Sequence, residues 1–141
     1  MTRKPETVKP TDTMEDVRQI FERRGFHHIP VVDNRKLAGL VSYSDYLQLI
    51  RTIFDNNQEV RLNEKILHAT LVKDVMTQSV LCLSQEDTVE TALRVFKTNQ
   101  FHSLPVVDDQ NRLVGIITTY DLMKVLEKVF VERADSVENP P

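Results

Sequence analysis

Tryptophan is absent from the sequence, aromatic residues make up only 6% of it, and it holds three glycines and one cysteine. Each scarcity removes a class of function. A stacking platform for single-stranded nucleic acid needs several aromatic faces. The net charge of −3 supplies no basic field for a phosphate backbone, so nucleic acid is not an expected partner. Cys82 alone permits neither an intramolecular disulfide nor a zinc module built from several cysteines, and the expected compartment is the reducing cytoplasm. Gly25, Gly39 and Gly115 are isolated, which excludes a P-loop and a GxGxxG dinucleotide fingerprint. Any nucleotide must be held in another way. No apolar run approaches the roughly 18 residues of a membrane helix, and no signal-peptide pattern opens the chain. What is present is globular composition, 40% hydrophobic and 28% charged over 141 residues. That length suits one domain, or two small halves sharing a core.

The sequence repeats itself. Set against the residue 75 positions on, Asp12, Thr13, Glu15, Phe21, Phe26, His27, Pro30, Val31, Val32 and Asp33 meet identical residues, ten matches in 22 positions. One residue is then inserted in the second copy near Asp109. At the new offset of 76, Leu37, Gly39 and Asp45 match Leu113, Gly115 and Asp121, and Ser42 meets Thr118. Chance gives about one identity in twenty, so the chain is a duplication.

Each copy carries the same local signals. Asp12 and Asp87, with Glu15 and Glu90 three residues on, predict capping boxes at the start of a helix. Apolar residues recur at helical spacing from Met14 to Phe21 and from Val89 to Phe96. Gly25 fits a left-handed helix end. Ile29–Asp33 with Leu37–Val41, and Leu104–Asp108 with Leu113–Ile117, predict hairpins. Second helices are expected from about Asp45 and Asp121, and short leading strands at Glu6–Val8 and Val80–Leu83. The order per copy is β-α-β-β-α. One such unit leaves a sheet face bare, so the expected fold is α+β, with two repeats packed sheet to sheet about a pseudo-twofold axis. The predicted division is repeat one over 1–56, a linker over 57–71 that turns helical from Asn63 to His68, repeat two over 72–131, and a disordered tail over 132–141.

These residues resemble a known family. The second copy reads KDVMT at Lys73–Thr77, then EDTVETALRVF, then HSLPVVDDQNRLVGIITTYDL. The pattern H-x-x-P-V-V-D, a turn, then G-h-h-[ST]-x-x-D (h, an apolar residue), found twice, is similar to the CBS domain, and the pair resembles a Bateman module. The likeness runs from about Thr2 to Phe130. Copy one lacks a counterpart of Lys73–Val75, which leaves open what its lead-in touches.

The resemblance implies an adenosyl ligand: AMP, ADP, ATP or S-adenosylmethionine. It places Ser42 and Asp45 in one site and Thr118 and Asp121 in the other. A carboxylate accepts two hydrogen bonds and so suits the vicinal hydroxyls of ribose, while a helix start favours phosphate. The Ser42-Tyr43-Ser44-Asp45 run is similar to nucleotide sites of the AMP-activated protein kinase γ subunit, and by the same likeness His27, His28, His102 and Ser103 fall near phosphate. Thr77 aligns with a further ligand-touching position. Tyr120 replaces the counterpart of Ser44.

Plainer readings stand beside these. Asp45 and Asp121 can be helix caps, the histidines packed side chains, and Cys82 a small buried residue. Four histidines at unsuitable spacing give no metal framework, and no activated nucleophile is evident, so no catalytic residue is assigned. Two functions remain: a nucleotide sensor signalling in trans to an unidentified effector, or a ligand-free dimerisation scaffold. Exposed apolar positions on the second helices predict a homodimer in either case.

Overall fold

The computed structural model describes residues 1–56 and 60–138. Helix α1 (Met14–Arg24) leads into a hairpin of β1 (His28–Asp33) and β2 (Lys36–Ser42), followed by α2 (Tyr43–Asn56). A connecting helix α3 (Val60–Ala69) and a 3-10 turn (Val72–Asp74) precede the second set. That set comprises β3 (Leu83–Ser84), α4 (Val89–Asn99), β4 (Ser103–Val107), β5 (Leu113–Thr118) and α5 (Thr119–Glu138). The fold is α+β, with one antiparallel hairpin in each repeat.

The helices start one residue later than the aspartates imply. Thr13 is the N-cap of α1, in a reciprocal box with Asp16, and Thr88 caps α4 by accepting from the Thr91 amide. Asp12 and Asp87 instead close the preceding turns, accepting from the amides of Lys9 and Ser84. A threonine hydroxyl reaches the third amide of a helix as well as a carboxylate does, and only geometry separates adjacent candidates. Gly25 ends α1 at φ 61°, as expected, and Gln100 takes the same left-handed position after α4.

The leading strands are shorter than predicted. Val8 makes a single parallel bridge to Val31, and β3 is two residues paired to β4. The helix α5 runs through Glu132 to Glu138, where the sequence predicted a disordered tail. Residues 139–141, and 57–59 of the predicted linker, lie outside the described residues.

The single-residue insertion shows its consequence in the turns. Asn34 and Arg35 both have positive φ, a two-residue turn that fits the strand twist, whereas the second hairpin uses a longer turn with Asn111 alone left-handed. Both hairpins carry a register shift at the same place, Val31/Val32 and Val106/Val107.

Two hydrophobic clusters form, one per repeat. The first gathers Met14, Val17, Phe21, Ile29, Val31, Val41 and Ile53 with Leu67 of α3 and Val72; the second gathers Leu83, Ala92, Phe96, Leu104 and Val106. Pro30 and Pro105 sit between core residues of β1 and β4, on the opposite face, and are fully buried too. Both faces of each inner strand are therefore covered, helices on one and the other repeat on the other.

Reciprocal backbone bonds tie the repeats together about the pseudo-twofold axis. At the turns, the Leu37 amide donates to Asn111 (3.0 Å) and the Leu113 amide to Arg35 (3.2 Å). At the lead-ins, Thr77 exchanges bonds of 2.9 and 3.0 Å with Leu40, and Thr2 exchanges bonds of 2.9 and 3.0 Å with Ile116. Each lead-in thus extends the sheet of the other repeat. Copy one makes this contact from Thr2.

The matched glycines explain themselves here. A Cβ on Gly39 would lie 2.7 Å from Met76 Sδ and 2.8 Å from the Thr77 carbonyl oxygen; on Gly115 it would lie 2.9 Å from the Thr2 carbonyl oxygen. Gly39→Ala is therefore expected to cost about 2 kcal/mol by prising the lead-in off β2. Gly25→Ala meets no neighbour and costs about 1 kcal/mol through its positive φ alone. Urea unfolding of the two variants gives the comparison.

Candidate functional site

The G-h-h-[ST]-x-x-D motif turns out to be a capping box at a strand-to-helix junction. In repeat one the Ser42 amide and hydroxyl donate to Asp45 Oδ2 at 2.8 and 2.6 Å, and the Asp45 amide donates to Ser42 Oγ at 3.1 Å. In repeat two the Thr118 amide and hydroxyl donate to Asp121 Oδ2 at 3.0 Å each, and the Asp121 amide donates to Thr118 Oγ1 at 3.2 Å. One carboxylate oxygen is consumed by the box in each case. The other oxygen lies outside the box, and in Asp121 it meets Lys124.

The two junctions differ in what they face. A cavity of about 740 Å³ between the repeats is lined by His27, His28, Ser42, Ser44, His102, Ser103, Thr118 and Asp121. Eight of the ten residues singled out in the sequence thus share one cleft. Asp45 and Thr77 are not among its walls, and Thr77 is engaged with Leu40. The counterpart of Thr77, Thr2, does line the cleft, with Pro5 and Glu6 beside it. The open side is therefore the one built on Asp121 and the repeat-one lead-in.

Three features of the cleft bear on its chemistry. The Ser103 hydroxyl is buried with no hydrogen-bond partner in the protein, although it sits in the cavity wall. A buried hydroxyl without a partner costs roughly 1–3 kcal/mol, which a bound acceptor or donor would recover. Second, His27 and His102 lie close enough to His28 to influence it. Burial first, then the proximity of His27 and His102, hold the His28 imidazole below its ordinary value of 6.5, against an opposing pull from Asp45. His28 is therefore neutral at pH 7.

The third feature is Lys124, which the sequence reading did not single out. Its ammonium lies 2.9 Å from Asp121 Oδ1 and 5.0 Å from the centroid of the Tyr120 ring. Burial pushes the Asp121 carboxyl up, but Lys124 and the bonds from Thr118 outweigh it and the net shift is downward. Asp121 is ionised and Lys124 is the fixed cation of the wall. A basic residue three positions after the motif aspartate, on the same helix face, was the available signal. Tyr120 is exposed and lies under Lys124 at the rim.

A second, smaller cavity adjoins on repeat one, walled by the aromatic cluster of Phe21, Tyr43 and Tyr46 with Arg18 and Glu22. Arg18 is held there by Glu15 and Glu22, and its hydrogen bonds keep the Glu15 carboxyl down at about 2. Cys82 is a half-buried free thiol away from the cleft. Among the described residues, no three His, Cys, Asp or Glu side chains converge as a metal site, and no helix is long and apolar enough to cross a membrane.

Comparison with known proteins adds to this geometry. A family model described as CBS domain matches residues 1–52 and 72–128. The chain is 36% identical over 119 residues to an inosine-5'-monophosphate dehydrogenase of Methanocaldococcus jannaschii, which covers 84% of this chain and 21% of that enzyme. It spans 38% and 44% of two uncharacterized proteins from the same organism that it also matches. Among solved structures, CBSX2 in complex with AMP superposes with a TM-score of 0.73 at 28% identity, covering 89% of each chain. A Vibrio cholerae protein described as a candidate acetoin utilization protein (AcuB) superposes with a TM-score of 0.78 at 27% identity, covering 100% of this chain and 94% of that one.

Proposed function

The chain belongs to the CBS domain family as a tandem pair of repeats, a Bateman module, and from that membership we propose that it is a non-catalytic regulatory module that binds an adenosyl nucleotide in the cleft between its repeats. The observation that carries this reading is the cleft itself, where motif residues of both repeats meet around an unpartnered buried hydroxyl, Ser103 Oγ. The AMP complex of CBSX2, a pair of the same fold, supports the ligand class.

The charges of the wall favour AMP over ADP or ATP. Lys124 is the fixed cation, Asp121 neutralises it, and Glu6 is turned to Arg23 and Arg24. One phosphate can be met by Lys124, the serines and a histidine that takes up a proton; three phosphates would lack counter-charge. In this reading Asp121 accepts from ribose hydroxyls through Oδ1, exchanging its bond to Lys124, which is freed toward phosphate. Asp45 holds the Ser42 hydroxyl in place.

Binding alone does not regulate. The ligand must favour one arrangement of the repeats, or of two subunits, over another, and an effector protein must read the difference in trans. A homodimer is the expected assembly, built on the exposed faces of α2 and α5. The second reading, a ligand-free scaffold, draws on the shielding of Asp45 and Thr77 from the cleft.

Thermal shift and calorimetry with AMP, ADP, ATP and S-adenosylmethionine test the proposal. AMP at 100 times its dissociation constant adds about 2.7 kcal/mol. Asp121→Asn keeps the capping geometry but removes the charge, and is expected to raise the AMP dissociation constant about five- to tenfold. No shift with any adenosyl compound, from a folded protein, would leave the scaffold reading.

A further inference from the structure

The smaller cavity on repeat one is walled by residues that the duplication does not repeat. Its frame is shared: Phe21, Phe26 and His27 recur as Phe96, Phe101 and His102. The other side chains diverge. Arg18, Glu22, Tyr43 and Tyr46 stand where repeat two has Leu93, Lys97, Thr119 and Leu122. Repeat two forms the same helices and hairpin with neither a phenol nor an arginine at these positions. The fold therefore does not require them, and the duplication is its own control for what has been added.

What is added makes a preformed ring site. Its volume is about 350 Å³, within the range of roughly 300–1,000 Å³ of small-molecule sites. Phe21 is buried and braces both tyrosines, meeting the Tyr43 ring edge to face at 5.3 Å and the Tyr46 ring at 6.0 Å. Tyr43 and Phe26 are exposed, so aromatic surface is open to an occupant. Neither tyrosine hydroxyl has a hydrogen-bond partner among the described residues. Arg18, Phe21, Glu22 and Tyr46 line this cavity and not the larger cleft, while Phe26, His27 and Tyr43 are common to both.

The charges decide what kind of ring fits. The Arg18 guanidinium donates through Nε and Nη2 to Glu15, and through Nη1 to Glu22 at 2.6 Å. An anion would have to break these pairs and face two carboxylates. A cation would meet a guanidinium that does not give up its proton. The planar face of a paired guanidinium still stacks on a ring. The walls therefore suit a neutral, flat molecule with stacking faces and a hydrogen-bonding edge for the phenols.

We infer that this cavity is a second small-molecule site, which takes a neutral heteroaromatic ring of one or two fused rings against Tyr43, Tyr46 and the face of Arg18. The site is separate from the adenosyl cleft and does not require the cleft to be filled.

Indole is the probe. The protein has no tryptophan, so emission excited beyond the tyrosine band is the ligand's alone. Indole anisotropy should rise as protein is added, with a dissociation constant of about 1 mM or tighter. Tyr46→Leu installs the side chain that repeat two carries, and should weaken indole about tenfold or more while leaving the AMP dissociation constant unchanged. Tyr46→Phe keeps the ring face and loses the hydroxyl, and should weaken indole only about two- to fivefold. A further readout needs no change in the cavity. Tyr120→Phe leaves Tyr43 and Tyr46 as the only tyrosines, and energy transfer from tyrosine to bound indole should persist. No binding up to about 5 mM, a folded Tyr46→Leu protein that binds indole like the parent, or transfer lost in Tyr120→Phe would overturn the site. A protein that binds indole in this way but no adenosyl compound would leave this site standing and remove the function proposed for the cleft.

Discussion

Met14→Ala is expected to destabilise the protein by about 3 kcal/mol, while Val89→Ala, at the same position of the other repeat, changes stability by less than about 0.5 kcal/mol. The two residues open equivalent helices and align in the duplication. Their surroundings differ completely: Met14 is 0% exposed and Val89 52%. The cause is α3, which has no counterpart over repeat two among the described residues. Leu67 of α3 and Val72 join the first cluster, and the Met14 amide donates to the Thr70 carbonyl at 2.9 Å. The same cover explains Ile53, 5% exposed, against its counterpart Val129 at 39%. Truncating Met14 leaves a cavity that a well-packed cluster cannot close. Truncating Val89 removes a side chain already in water. Thermal unfolding reads the contrast: a fall of roughly 10 °C for Met14→Ala and almost none for Val89→Ala. Equal effects would mean that α3 does not hold its place in solution.

This difference marks the limit of what the duplication discloses. Self-comparison finds what the repeats share: the hairpins, Gly39 with Gly115, the junction of Ser42 and Asp45 with that of Thr118 and Asp121. It is silent on what is laid over one repeat only. The helical pattern of Asn63–His68 is readable, but its burial against α1 and α2 depends on where the chain turns back. The candidate site shows the same boundary. Both copies carry the motif, so the sequence treats Asp45 and Asp121 as equals. The walls of the cleft come from segments far apart in the chain, Thr2 to Glu6 and Thr118 to Lys124, and only their meeting distinguishes the two junctions. Lys124 illustrates the point. Its spacing of three from Asp121 is a weak signal among many charged helix positions, and its meaning comes from the 2.9 Å approach to Asp121. The helix caps failed by one residue for a smaller reason, since Asp-Thr offers two competent caps in a row.

If AMP binds with its phosphate beside the histidine group, its binding is expected to be proton-linked, which is the most discriminating expectation for the site. His28 in the free protein sits below its ordinary value of 6.5 because it is half-buried and lies near His27 and His102. The sign for folding follows directly. The unfolded chain binds a proton at His28 more readily than the folded one, so stability contributed here is present above pH 6.5 and is lost as pH falls through it. A phosphate reverses the balance. Negative charge beside the His28 imidazole favours its protonated form. The complex then holds more protons than free protein and free ligand at pH 7, and affinity rises as pH falls. Between pH 8 and 6.5 the uptake of up to one proton strengthens AMP binding by at most about thirtyfold. Below about pH 6 the phosphate itself protonates and the gain levels off. Adenosine, which has no phosphate, should show neither the slope nor the uptake. Calorimetry at pH 7 in two buffers of different ionisation enthalpy measures the proton directly. Uptake with AMP, absent with adenosine and reduced in His28→Gln, places the phosphate among the histidines. Binding of AMP without proton uptake would put the phosphate elsewhere, against Lys124, and would leave His27, His28 and His102 without a ligand role.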